Sequence, residues 1–246
     1  MFIRIAVPVV ATALLAGFAL QADAAPGVTF TTFTDAINDI DPTIATGGGT
    51  LDLVKMEVAN TSTDVVFRLT VNGNVGTTDW GKFMIGIANN KGYGTSSGNG
   101  WGRPINMTAN GGMTNWLGGW VDGGGGAENR SNQIGWGLTG ATYNGNFGQY
   151  SIAAGAQSTI TYTVSIASLG MSLGDTFSFD AYSSGGGGGD SAVDALANPN
   201  VSITSWGQTY DSGASNSFSY TLGAVPAPGA IVLFGAAGLL GRRRRA

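Results

Sequence analysis

The sequence predicts an all-β fold, two sheets packed as a jelly-roll-like sandwich, on three observations. Short runs of alternating apolar and polar residues recur between Val28 and Leu222. Clusters of Gly, Asn and Ser separate them, the punctuation expected of turns. No stretch between the termini carries an apolar stripe at helical spacing. Glycine supplies 42 of 246 residues without the strict triplet period of collagen. Six Trp, eleven Phe and seven Tyr give the chain the apolar content that a disordered one lacks.

Val28 to Phe33 reads as a first strand, and Asp35 to Asp41 as a short helical turn. Leu51 to Ala59 is extended, but its apolar phase switches near Leu53 and Val54, which predicts a bulge. Val65, Phe67, Leu69 and Val71 alternate with polar or outward residues and define a core face. Trp80 to Ala88 repeats the pattern through Phe83, Ile85 and Ile87. Asn89 to Gly112 reads as a long polar loop. Trp116 to Val121, Arg130 to Leu138 and Ala141 to Ile152 follow as strands, with Asn144-Gly145 as a hairpin turn or a kink. Thr159 to Ala167 puts Ile160, Tyr162, Val164 and Ile166 on one face. Ser168 to Gly174 turns the chain, and Phe177, Phe179 and Ala181 form the next core face. Ile203 to Gly207 and Phe218 to Leu222 are expected to close the sheet.

The two ends differ from this pattern. Met1 to Ala24 has Arg4, an apolar run from Ile5 to Leu20, and Ala22-Asp23-Ala24, the layout of a secretory signal peptide cleaved after Ala24; an uncleaved anchor is the alternative. Val225, Pro226, Ala227 and Pro228 precede an apolar run from Ala230 to Gly241, then Arg242, Arg243, Arg244 and Arg245. As a helix that run reaches about 18 Å, against a hydrocarbon core of roughly 30 Å. A buried C-terminal helix is the competing reading, but four adjoining arginines would be stranded by it. The order of proline pair, apolar segment and basic terminus resembles the PEP-CTERM sorting signal of bacterial exported proteins. That family most often has Glu between the prolines, where this chain has Ala227. The resemblance implies export, transient anchoring in the inner membrane, removal of the tail by an exosortase-type enzyme, and delivery to the cell surface or exopolysaccharide matrix.

Residues 25–224 thus form the expected β-sandwich domain. They carry fourteen acidic and six basic side chains, a net charge of −8. That disfavours nucleic acid and anionic matrix polymers, and suits neutral sugars or metal ions. The chain has no Cys and no His, which closes thiol catalysis, Ser-His-Asp triads and most zinc and copper sites. A glycosidase needs two carboxylates across a cleft. The only glutamates are Glu57 and Glu128, and Glu57 lies beside Lys55 as a surface ion pair. A non-enzymatic protein follows, with a hydrolase as the lesser alternative.

Sugar recognition needs flat apolar faces with polar groups at their rim. Trp101, Trp116 and Trp120 lie in or beside glycine-rich segments and are the carbohydrate-binding candidates, with Asn99, Asn115 and Asp122 as polar contacts. The alternative is that these indoles plug the sandwich ends. Trp80, Trp136 and Trp206 are assigned to packing within strands. Asp190 and Asp194, with Asp175 and Asp180, are candidate calcium ligands, since a glycine loop lets carbonyls turn toward a cation. A helix N-cap at Asp190 is the alternative.

Asp79-Trp80, Ile166-Ala167-Ser168-Leu169-Gly170, Gly174-Asp175-Thr176-Phe177 and the stretch from Asp190 through Asp194 to Leu196 resemble the β-sandwich family that includes family-nine carbohydrate-binding modules. That resemblance implies a jelly roll, sugar binding between aromatic platforms, structural calcium, and no catalysis by this domain.

Overall fold

A computed structural model of the chain describes residues 28–78, 80–139 and 149–224. The expected signal peptide and sorting segment, Asp79 and the expected Asn144-Gly145 turn lie outside the described residues. The strands are β1 (Thr31–Thr34), β2 (Leu53–Asn60), β3 (Asp64–Val71), β4 (Lys82–Ala88), β5 (Ile105–Met107), β6 (Asn115–Trp120) and β7 (Gly126–Ser131). They continue with β8 (Gly137–Leu138), β9 (Gln149–Ala153), β10 (Ser158–Ser165), β11 (Thr176–Ser184), β12 (Asp194–Ala195), β13 (Tyr210–Ser212) and β14 (Phe218–Thr221). Among the described residues helix is confined to short 3₁₀ turns, so the all-β expectation holds for them. Among the described residues no helix is long and apolar enough to cross a membrane.

All the strands except β5 and β13, which pair with each other in parallel, form two antiparallel sheets. One runs β1-β2-β3-β10-β9; the other runs β12-β11-β4-β6-β7-β8, with β14 also on β11. They face each other across one core. Phe67 of β3 meets Phe177 and Phe179 of β11 at ring-centroid distances of 6.1 and 6.0 Å, and Phe33 meets Phe179 at 5.0 Å. Tyr162 of β10 donates its hydroxyl to the Phe83 carbonyl of β4, 2.9 Å away, a buried bond between the sheets.

The alternation read from β3 and β10 is the one observed. Val65, Phe67, Leu69 and Val71, and Ile160, Tyr162 and Val164, are all buried. The register of β2 against β3 shifts between Leu53 and Lys55, at the expected bulge. Lys55 and Glu57 pair at 3.2 Å on the surface, as their spacing suggested.

Five readings need correction. Arg130 to Leu138 is not one strand: a 3₁₀ turn at Asn132–Ile134 separates the end of β7 from β8. Asp35 to Asp41 is not helical; it runs through irregular bends, with Asn38 in the left-handed region at φ 65°. Ile203 to Gly207 forms no strand; β13 lies just beyond it and pairs in parallel with β5. Trp80, Trp136 and Trp206 pack on the core, but from connections rather than strands. The supposed polar loop from Asn89 to Gly112 contains β5, whose Ile105 and Met107 are fully buried.

That last correction explains a feature of β11, which is buried from Phe177 to Ser184 on both faces. Its inner face holds Phe177, Phe179 and Ala181. Its outer face is covered by the β5 and β13 segments. The Ser212 hydroxyl bonds Asp180 at 3.0 Å, and the Tyr210 ring meets that of Tyr182 at 6.0 Å. A third partial layer therefore lies over the second sheet, and the candidate site forms at its margin.

Candidate functional site

Strand β6 reads Asn115-Trp116-Leu117-Gly118-Gly119-Trp120, so Trp116, Gly118 and Trp120 share one face. The other face points into the sandwich, since a Cβ at Gly119 would stand 2.5 Å from the Tyr162 hydroxyl. On the outer face the glycines make room for indoles. A Cβ at Gly118 would lie 2.2 Å from the Trp101 ring, and one at Gly126 of β7 would lie 2.3 Å from the Trp120 ring. Trp101 and Trp120 therefore lie close over bare backbone, both half-buried, with centroids 6.4 Å apart.

The loop carrying Trp101 is held from within by Asn99. Its amide oxygen accepts from the Trp101 and Arg103 N–H groups at 3.0 and 3.2 Å, and its NH₂ donates to the Arg103 and Ile105 carbonyls at 2.8 and 2.9 Å. The Trp101 indole N–H donates to Glu128, which also accepts from Arg130. Arg103 is buried, 5.5 Å from the Trp101 ring centroid. Its guanidinium donates to the Ser184 hydroxyl at 2.7 Å, the Asp190 carbonyl at 3.0 Å and the Gly185 carbonyl at 3.2 Å. Burial lowers its pKa, and nearby Asp190 opposes that shift. Lys82 pairs with Asp122 at 2.5 Å. Lys82, Gly100, Trp101, Arg103, Trp120, Arg130 and Gly188 line an open groove of about 380 Å³.

The structure thus brings Trp101 and Trp120 together, with Asp122 behind Lys82. Three other candidates do not line the groove, although Trp116 lies beside Trp101 with ring centroids 6.0 Å apart and Asn99 sits in the same loop. Trp116 is fully buried, stacked on Tyr182 at 6.1 Å, and offers no free face. Asn115 is fully buried on the inner face of β6. Asn99 shapes the loop rather than facing a ligand. Sequence reading missed Lys82, Arg103, Arg130 and Glu128, which come from strands and a loop that only pairing brings side by side. The Trp120–Gly126 register is the signal that would have located the platform.

The aspartates divide differently from expectation. Asp175 is a surface residue bonded to Lys91 at 2.8 Å, and that bond holds its carboxyl below the usual range. Asp180 is fully buried and accepts from the Ala181 and Ala197 N–H groups at 2.8 and 3.0 Å; burial raises its pKa to about 7. Asp190 accepts from the Gly187 N–H at 2.8 Å and closes the glycine turn, with no helix after it. Asp194 accepts from the Leu53 and Ala195 N–H groups, each at 2.7 Å. These four do not converge on one point. Asp194 instead joins Asp35 and Asp39, whose carboxylate oxygens lie with its own within 4.8 Å of one another.

No protein-family model matches the chain, and no curated protein matches it.

Proposed function

We propose that this is an exported surface or matrix protein, a jelly-roll-like sandwich that binds polysaccharide in the groove between Trp101 and Trp120 without catalysis. The observation that carries the reading is that pair of half-exposed indoles, seated over glycine and rimmed by Lys82, Arg103 and Arg130. Indole faces suit the C–H face of a pyranose, and Lys82 and Arg130, each with N–H groups beyond its ion pair, suit its hydroxyls. Asp122 and Glu128 are both held in ion pairs, which favours binding over acid–base chemistry. The leader and the proline–apolar–arginine tail supply the export part, with an exosortase-type enzyme as processing partner.

A glycan array, followed by pull-down on the producer's own matrix polymer, tests the binding. Retention that is lost in Trp120→Ala supports it; no retention on either removes it. A structural matrix role without ligand is the second reading, favoured by the Trp101 N–H being already engaged with Glu128. Titration with sugars under Trp fluorescence separates the two, because only a ligand site gives a saturable change. Turnover of glucans by the wild type would point instead to the hydrolase.

A further inference from the structure

A second cluster lies apart from the groove, where the turn after β1 meets β2 and β12. Asp35 Oδ1 accepts from the Ala36 N–H at 2.8 Å, but Asp35 Oδ2 is buried with no hydrogen-bond partner. Both carboxylate oxygens of Asp39 are likewise buried and unpartnered. Asp194 is 1 % exposed, and its two oxygens meet backbone N–H groups alone. Buried oxygens without donors are costly, and buried carboxylates are normally paired or metal-bound.

No basic side chain of residues 25–224 fills that role. Lys55, Lys82, Lys91 and Arg130 are paired with Glu57, Asp122, Asp175 and Glu128. Arg68 stacks on Phe30 at 4.1 Å, and Arg103 is spent on Ser184 and two carbonyls. Asp52 and Asp180 add further negative charge within electrostatic reach of the cluster. The buried carboxyls are met either by protons, the form that burial favours at Asp35, Asp39 and Asp194, or by a cation from outside the chain that displaces them.

We propose that Asp35, Asp39 and Asp194 hold one divalent cation of the calcium class, which fastens the turn after β1 to β12. An all-oxygen donor set suits a hard cation, and an irregular turn suits Ca²⁺ better than Mg²⁺, which demands near-octahedral geometry. Asp194 also ties the bulge of β2 through the Leu53 N–H, so the ion joins both sheets. The site stands independently of the saccharide reading.

The experiment uses the folded protein stripped with chelator, then titrated with CaCl₂ and separately with MgCl₂ by calorimetry and thermal unfolding. One saturable ion per chain, with an unfolding midpoint that climbs with Ca²⁺ concentration by mass action, is the expected result. Asp39→Asn is the informative variant, because the Asp39 carboxylate meets no backbone N–H beyond its own residue's, a contact that an amide oxygen can keep. Its midpoint in chelator should equal or exceed that of the wild type, while its response to Ca²⁺ falls at least tenfold in affinity. Absence of heat and of any midpoint shift with either ion overturns the site. So does a wild-type calcium response in Asp39→Asn.

Discussion

Gly118 and Gly126 are the seats of two indoles, so a single methyl group at either reaches the groove. Gly118→Ala must displace Trp101, and overpacking of this kind costs about 1–3 kcal/mol. The expected outcome is a folded protein with a shifted Trp fluorescence spectrum and lost saccharide binding. Trp116→Ala acts through stability instead. Removing this wholly buried indole should cost about 3–5 kcal/mol in denaturant unfolding, whatever happens to ligand. Asp180 gives a pH signature. Burial raises its folded pKa from 3.8 to about 7, so between those values the unfolded chain has released a proton that the folded chain keeps. Stability from this group therefore falls as pH rises through that window and levels off above about 7. Its neighbours Tyr182 and Tyr210 are pushed above the usual tyrosine range, first by burial and then by Asp180, and so stay neutral there. Asp180→Asn keeps an oxygen for the Ala181 and Ala197 N–H groups. Its unfolding midpoint, followed from pH 5 to pH 8 in chelator, should gain on the wild type as pH rises.

Among the elements, β10 is the one whose sequence and burial agree position by position, because one face meets the core and the other meets water. Its Tyr162 is the exception that links the sheets. Tyr162→Phe removes the bond to the Phe83 carbonyl and should cost about 1 kcal/mol, read as a lower denaturant midpoint with unchanged slope. Strand β11 is the opposite case. Its odd-numbered face was legible as core, but its even-numbered face, with Ser178, Asp180, Tyr182 and Ser184, looks solvent-facing until the β5 and β13 layer is placed over it. Parallel pairing of Tyr210 with Ile105 joins segments far apart in the chain, and three-residue strands carry too little period to announce it.

For the whole molecule, the processed product is the quantity to measure. If both ends act as read, intact mass of the protein recovered outside the cell corresponds to a chain starting near Ala25 and lacking the arginine terminus; a full-length cytosolic product overturns the export reading. The net charge of −8 on residues 25–224 was plain from composition, and it argued against a basic binding surface. Yet Lys82, Arg103 and Arg130, half of the basic side chains in that span, gather at one groove. The sequence by itself determined the all-β class, the core faces of β3 and β10, and the bulge in β2. Each of those follows from local periodicity or turn chemistry, which a single segment carries. Only the tertiary structure decided that Trp116 is core, that Asp194 belongs with Asp35 and Asp39, and that Glu128 anchors Trp101. Those depend on which strands pair and which face is roofed over; Trp101 and Glu128 stand 27 positions apart, Asp194 lies far downstream of Asp35 and Asp39, and no local pattern spans either gap.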